Sequence, residues 1–430
     1  MVFEIIQAEG NIAGQPITGL SLLATTGKLD DVNWSPLGIG TNGIVNALAV
    51  YDNKLIVGGQ FAKAGGIGSP YIAAWNGSSW STLGSEMDGA VHVLIVYDNK
   101  LFAGGQFTTA GGVSASYIAV WDGSSWSAVG SGTNGYIEAF TIYDNKLIAG
   151  GRFTSAGDSA VHYVAAWDGT SWSSVGTGMG GTTNPFVEAL TVYDGKLIAG
   201  GLFTTAGGHT SPRIAAWDGS SWSPMGSGMN DGVYALTVFD NTLIAGGWFT
   251  AAGDVGADYI ASWDGSIWSP LGSGMGGSAT PYVEALAIYD GSLIAGGRFT
   301  TAGGVDAARI ASWDGLSWQT VGPGMNNDVW AFEIYQNVLI AGGSFTAAGP
   351  TAAANIAAWT KLPYVCGDAN GDEMINIGDA VFLVSYLFRE GQAPVPIEAG
   401  DVNCNGAVNV SDAVYLITYV FRGGPPPCCP

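Results

Sequence analysis

Short runs of Val, Leu, Ile and aromatic residues recur along most of this chain, each closed by a small polar turn. One such run, Val283-Glu284-Ala285-Leu286-Ala287-Ile288-Tyr289, ends on Asp290-Gly291. Runs of this length and β-branched content read as strands, and Asp-Gly or Asp-Asn pairs supply the positive φ that tight hairpins need. Further strands follow at Leu293 to Thr300, Arg309 to Trp313 and Trp318 to Val321, so one unit holds four. No stretch of the unit shows a 3.6-residue period, which excludes a helical solenoid.

The unit then repeats. A phrase close to Leu-Ile-Ala-Gly-Gly-x-Phe-Thr places its first glycine at Gly58, Gly104, Gly150, Gly200, Gly246, Gly296 and Gly342, at spacings of 46, 46, 50, 46, 50 and 46 residues. A second anchor ends in Trp75, Trp121, Trp167, Trp217, Trp263, Trp313 and Trp359, and a third begins at Trp34, Trp80, Trp126, Trp172, Trp222, Trp268 and Trp318. Four strands in a repeat of 40 to 50 residues is the signature of a β-propeller blade. The third anchor starts before any complete unit, and the last unit stops at Trp359 without a fourth strand. Residues 33–38 are therefore expected to supply the outer strand of the seventh blade, closing the ring and removing an open edge. The expected fold class is mainly β, a seven-bladed propeller over residues 31–360, with an N-terminal extension over 1–30 that is a candidate assembly strand.

Comparing the units separates architecture from candidate chemistry. The third residue of the innermost strand varies while its surroundings do not: Asn46, His92, Glu138, Glu188, Tyr234, Glu284 and Trp330. Strand alternation turns all seven the same way, toward the rim or lining of a central channel. They form either a pocket for a cation or a sugar, or a set of solvated positions free to drift. The residue after each glycine pair (Gln60, Gln106, Arg152, Leu202, Trp248, Arg298, Ser344) varies likewise. Two four-residue insertions, within 180–185 and 276–281, lengthen loops before the innermost strands of the fourth and sixth units, and such loops often sit on a binding face. The histidines His92, His162 and His209 stand in different units, and no nucleophile elbow, phosphate loop or His-Glu-x-x-His occurs, so no enzyme activity is expected.

Units reading Gly-Gly-x-Phe-Thr-x-Ala-Gly-Gly, Ile-Ala-x-Trp-Asp-Gly-Ser-Ser-Trp and Leu-Gly-x-Gly resemble the propeller repeats of fungal cell-polarity surface proteins and of bacterial surface and secreted proteins. The resemblance implies a kelch-like propeller and brings no catalytic motif.

Composition shifts after Lys361-Leu362-Pro363. Two segments follow in which oxygen side chains occupy positions 1, 3, 5, 9 and 12, with a backbone carbonyl due at position 7. In the first these are Asp368, Asn370, Asp372, Met374, Asn376 and Asp379; in the second, Asp401, Asn403, Asn405, Ala407, Asn409 and Asp412. Alternating oxygens of this kind wrap a hard cation, so two calcium ions are expected. Each loop leads into a helix, Ala380 to Arg389 and Ala413 to Arg422. Two such loop-helix units 33 residues apart resemble a type I dockerin, over residues 366–424 within a module of 361–430. Position 6 of the first loop is Glu373 where glycine is usual. Positions 10 and 11 are Ile377-Gly378 and Val410-Ser411, which match neither common pairing of cohesin-binding dockerins. The first helix is apolar nearly all round and should pack against its own propeller or another chain.

All four cysteines, Cys366, Cys404, Cys428 and Cys429, fall in this module. Four permit three pairings. A bond between the adjacent pair is strained, so the tail is expected to join Cys366 and Cys404, with zinc the rival although no Cys-x-x-Cys is present. Disulfides and millimolar-range calcium both point outside the cell. Residues 1–6 carry no basic n-region, so no signal peptide is legible. With 35 acidic against 13 basic residues the surface repels phosphate backbones, which argues against nucleic acid, and no apolar run spans a membrane. The expected function is an extracellular structural or interaction protein with a protein partner or head-to-tail self-association into filaments; the alternative is a carbohydrate-binding or carbohydrate-active propeller.

Overall fold

The computed structural model describes residues 11–12, 15–16, 34–181, 184–360, 366–372, 374–389, 391–422, 424 and 427. The chain divides into two compact units, one spanning Leu29–Pro363 and one that includes Tyr364–Pro430.

Among the described residues the first unit has seven four-stranded antiparallel sheets. Six are built from consecutive strands, as in Ile44–Tyr51, Lys54–Gln60, Ile72–Trp75 and Trp80–Ser81. The seventh takes Val329–Tyr335, Val338–Gly343 and Ile356–Trp359 from the end of the unit and Trp34–Pro36 from its start, with Trp34 opposite Trp359 and Pro36 opposite Ala357. Asn33, at the edge of the expected strand, lies outside the described residues. Innermost strands of successive sheets pack side by side, and that of the seventh packs on that of the first, so the sheets form a ring.

Repeated residues hold the sheets together. The outer-strand tryptophans donate their indole N–H to a carbonyl of the preceding sheet: Trp126 to Leu83 at 2.9 Å, Trp172 to Val129 at 3.0 Å, and Trp34 to Val321 at 3.2 Å across the closure. Each also lies against the tryptophan paired with it across the strands, with centroids 5.2 Å apart for Trp34 and Trp359. The phenylalanine of each glycine-pair phrase is buried, and Phe107, Phe153, Phe203, Phe249, Phe299 and Phe345 are among the largest fully buried side chains. Apolar clusters bridge neighbouring sheets, joining Ile56 and Ile72 of one to Val91, Phe107 and Trp126 of the next. Burial of each large side chain contributes roughly 1.5–3 kcal/mol.

Each unit also carries a small hairpin absent from the sequence reading. Thr109–Ala110 pairs with Val113–Ser114, turned by Gly111 and Gly112 at φ +61° and +80°. Two-residue ladders have no periodicity for a pattern search to find.

In the second unit, helices α1 (Ile377–Arg389) and α2 (Val410–Arg422) pack on each other around Ala380, Leu383, Ala413 and Leu416. Both begin three residues before the expected starts. Asn376 and Asn409 cap them, accepting from the N–H of Gly378 at 2.6 Å and of Ser411 at 2.9 Å, so loop positions 10 to 12 already form the first turn.

Candidate functional site

The seven variable positions of the innermost strands share a backbone feature that alternation alone does not predict. In each strand the pairing register shifts at that residue: Val91 lies opposite Gly105 and Val93 opposite Gly104, leaving His92 in a β-bulge. The same shift occurs at Asn46, Glu138, Glu188, Tyr234, Glu284 and Trp330. A bulge re-aims one side chain out of the sheet. It also explains the paired glycines opposite: a Cβ on Gly105 would come within 2.1 Å of the Ala90 carbonyl oxygen, and one on Gly104 within 2.7 Å of Ile137 in the next sheet.

All seven bulge residues line one cavity of about 490 Å³, joined by Gln60, Gln106, Arg152 and Tyr136. Since they come from the innermost strands of all seven sheets, the cavity lies at the centre of the ring. Leu202, Trp248, Arg298 and Ser344, which share the place of Arg152 in other units, are not on this wall. Tyr136 was missed by the sequence reading; it belongs to a further variable series that includes Ala90, Phe186, Tyr282 and Asp328.

Charge in the cavity is uneven. Glu138 is well partnered, 2.5 Å from His92 Nδ1 and 2.8 Å from Arg152 Nε. Burial would raise its pKa, but the hydrogen bond and charge of His92, with those of Arg152, outweigh it and hold the carboxyl below its usual range. Arg152 lies over the Phe186 ring, 3.8 Å from its centroid, and reaches Glu188 only at 3.6 Å. Burial, then Glu138 and Glu284, push Glu188 well above the ordinary range. Glu284 is raised to about 7 by burial, then by Asp328 and Glu138. Tyr234 is pushed up to about 12 by burial and by Glu284. Asn46 Oδ1, Glu188 Oε2 and Trp330 Nε1 are buried atoms without a hydrogen-bond partner.

Another acidic group is buried among cations. Asp328 receives Arg298 Nη2 at 2.6 Å and Nε at 2.8 Å, lies 3.4 Å from Arg309 Nε, and accepts from the Tyr282 hydroxyl at 3.1 Å. Its Oδ2 takes all three hydrogen bonds, while Oδ1 faces Arg309 as an ion pair without a hydrogen bond.

The two loops of the second unit are near copies. In the first, Asp368 Oδ1 accepts from the N–H of Gly371 and Asp372, while Asp379 accepts from Asn370 and Asn376. In the second, Asp401 accepts from Asn405 and Gly406, and Asp412 from Asn403 and Asn409. Asp379 and Asp412 are fully buried at the N-termini of α1 and α2. Oxygens of Asp368, Asp372 and Asp379 lie within 4.8 Å of one another, the only such acidic, histidine or cysteine cluster of three among the described residues. Burial, then Asp368 and Asp372, raise Asp379 to about 6. The second loop has asparagines at positions 3 and 5, so it converges fewer charges. Neither Cys366 nor Cys404 is a free thiol. Cys428, Cys429 and Glu373 lie outside the described residues.

Outward from the loops, both helices expose the same stripe. Ile377, Val381, Val384 and Phe388 on α1 match Val410, Val414, Ile417 and Phe421 on α2, position for position, with Phe388 64% and Phe421 52% exposed. The sequence reading expected unburied apolar surface on the first helix alone. No helix among the described residues is long and apolar enough to cross a membrane.

A ring of antiparallel four-stranded sheets with a paired loop-helix module defines a β-propeller joined to a dockerin-type domain. Comparison with known families agrees: residues 23–184 match the family described as Rax2 C-terminal beta propeller domain, and residues 366–421 match the dockerin type I domain. No curated protein matches the chain. Solved structures similar to it include the WD40 beta propeller domain of Doa1 (15% identity, 77% of this chain and 96% of that one, TM-score 0.48). The computationally designed Ika8 protein is similar at 17% identity, over 74% of this chain and 97% of that one, with TM-score 0.44. The extracellular domain of the putative hybrid two component system BT4673 from B. thetaiotaomicron is similar at 12% identity, over 76% of this chain and 39% of that one, with TM-score 0.47.

Proposed function

We propose that this chain is an extracellular, non-catalytic interaction protein, in which a rigid propeller is presented by a calcium-stabilised module that docks on a protein partner. The observation that carries this reading is the apolar stripe repeated on α1 and α2. Exposed Val, Ile and Phe at four matched positions of each helix make a surface larger than a small module leaves open without a use.

Calcium fits the donor set. Asp379 and Asp412 are fully buried and form no ion pair with Lys or Arg among the described residues, and oxygens of Asp368 and Asp372 converge with those of Asp379 as a hard cation requires. One ion would be held by Asp368, Asn370, Asp372, the Met374 carbonyl, Asn376 and Asp379. The other would be held by Asp401, Asn403, Asn405, the Ala407 carbonyl, Asn409 and Asp412. The ions would neutralise the buried carboxylates and fix the first turns of α1 and α2, and with them the stripe. We assign the tail cysteines Cys428 and Cys429 to Cys366 and Cys404 as disulfide partners, consistent with an oxidising compartment.

Type I dockerin domains dock on proteins, and the partner tested first is a second copy of this chain, taken head to tail through residues 1–30. Sedimentation velocity with calcium and with chelator tests the reading. Calcium-dependent assembly of the purified chain that a Phe388→Asp, Phe421→Asp variant loses supports self-association. A monomer under all conditions that also binds no cohesin module overturns docking through the stripe.

A further inference from the structure

The central cavity has more acid than its own bases satisfy. His92 and Arg152 Nε both serve Glu138, and the second reach of Arg152, to Glu188, is 3.6 Å. Glu284 has neither a hydrogen bond nor an ion pair among the described residues, although it lines the same wall. A carboxylate held away from water without a partner is costly, so the site either keeps a proton or takes up a positive group. Three further features show which positive group fits. Ligand oxygens of the cavity glutamates do not converge as those of Asp368, Asp372 and Asp379 do, so no set of three is ready for a bare metal ion. Tyr234 and Trp330 put aromatic rings beside Glu188 and Glu284, which suits a cation with organic bulk. Asn46 Oδ1 is an acceptor still without a donor.

We infer that the central cavity is a binding site for an organic cation with N–H donors, an ammonium or guanidinium group, held between Glu188 and Glu284 and seated against Tyr234 and Trp330. A volume of about 490 Å³ suits a small amine, an amino sugar or the end of a basic side chain. Neutral sugars lack the charge that the two glutamates call for. Tetramethylammonium has the charge but no donor for them. The raised proton affinities of Glu188 and Glu284 agree with this reading, since Glu188 has only the long Arg152 contact and Glu284 has no ion pair among the described residues.

Titration calorimetry of the full chain, saturated with calcium, tests the site with n-butylammonium, n-butylguanidinium, tetramethylammonium and the matched pair glucosamine and glucose. Glucosamine should bind at least tenfold more tightly than glucose, and the two butyl cations more tightly than tetramethylammonium. Glu188→Gln and Glu284→Gln should each weaken binding about tenfold, while the Phe388→Asp, Phe421→Asp variant binds unchanged, which separates this site from docking. A lysine-ended pentapeptide that outbinds n-butylammonium assigns the cation to a protein, and the reverse order assigns it to a free amine. Equal affinity for glucose and glucosamine overturns the inference, as does absence of heat with every cation at millimolar concentration. Thermal melts of both Gln variants at pH 8 guard against misfolding: melting at or above the parent temperature shows that the ring is intact.

Discussion

Both units of this molecule are repetitive, but repetition means opposite things in them. In the propeller the residues that recur, the tryptophans, the buried phenylalanines and the glycine pairs, are packed between sheets, and the seven bulge residues, which differ, face the cavity. In the second unit the residues that recur between the halves are themselves the candidate sites: loop oxygens turned inward and an apolar stripe turned outward. Sameness marks architecture where a repeat must bury its neighbour. It marks chemistry where each half carries its own ligand set.

Four perturbations would break or sharpen this contrast. The largest effect is expected at the ring closure. Trp34→Ala and Trp126→Ala should each cost about 3–5 kcal/mol, because each tryptophan makes the same bond to a preceding sheet; denaturant unfolding compares them. If Trp34→Ala is nearly silent, the closure at Trp34 does not share the load. Next, Gly105→Ala should cost roughly 3 kcal/mol because its Cβ would overlap the Ala90 carbonyl oxygen. By contrast Gly112→Ala meets nothing within 4 Å and carries only its positive φ, about 1–2 kcal/mol. Equal losses would mean that the bulge does not dictate the glycine pair.

A smaller effect concerns pH. Glu284 binds its proton more tightly in the folded ring, at about 7, than an ordinary glutamate at 4.5. Its contribution to stability is therefore fully present below about pH 4.5 and is lost as pH rises through 7. The melting temperature of the propeller should fall over that interval, and Glu284→Gln should flatten the fall; an unchanged slope would show that Glu284 does not titrate there. Smallest is Val381→Asp, expected to change the stability of the second unit by less than about 0.5 kcal/mol while weakening partner binding. A large loss of stability in urea melts would mean that the stripe is core.

The fold was legible because spacing carries it: three anchors recur in phase, and the turns between the first two strands of each sheet carry Asp, Asn or Gly at positive φ, as at Asp52 and Asn53 with φ +49° and +56°, with Gln336 the exception in the seventh. The bulges were not legible. A register shift at His92 or Glu284 leaves the residue types on either side apolar, so the sequence shows which position varies but not how the backbone aims it. The starts of α1 and α2 were placed late because loop positions 10 to 12 serve loop and helix together. The stripe on α2 was overlooked because Tyr415, Thr418 and Tyr419 lower its apparent apolarity without interrupting Val410, Val414, Ile417 and Phe421. The partnership of His92, Glu138 and Arg152 joins residues 46 and 14 positions apart and needs the ring to bring them together.

Differential scanning calorimetry with and without calcium tests the contrast most directly. A ring held by packed apolar side chains and a module held by a cation should melt as two transitions. At a hundredfold excess of calcium over its dissociation constant, each bound site adds about 2.7 kcal/mol to the module, so chelation should shift that transition down and leave the propeller transition where it was. A single transition that ignores chelator, or a propeller transition that moves with it, would contradict the account.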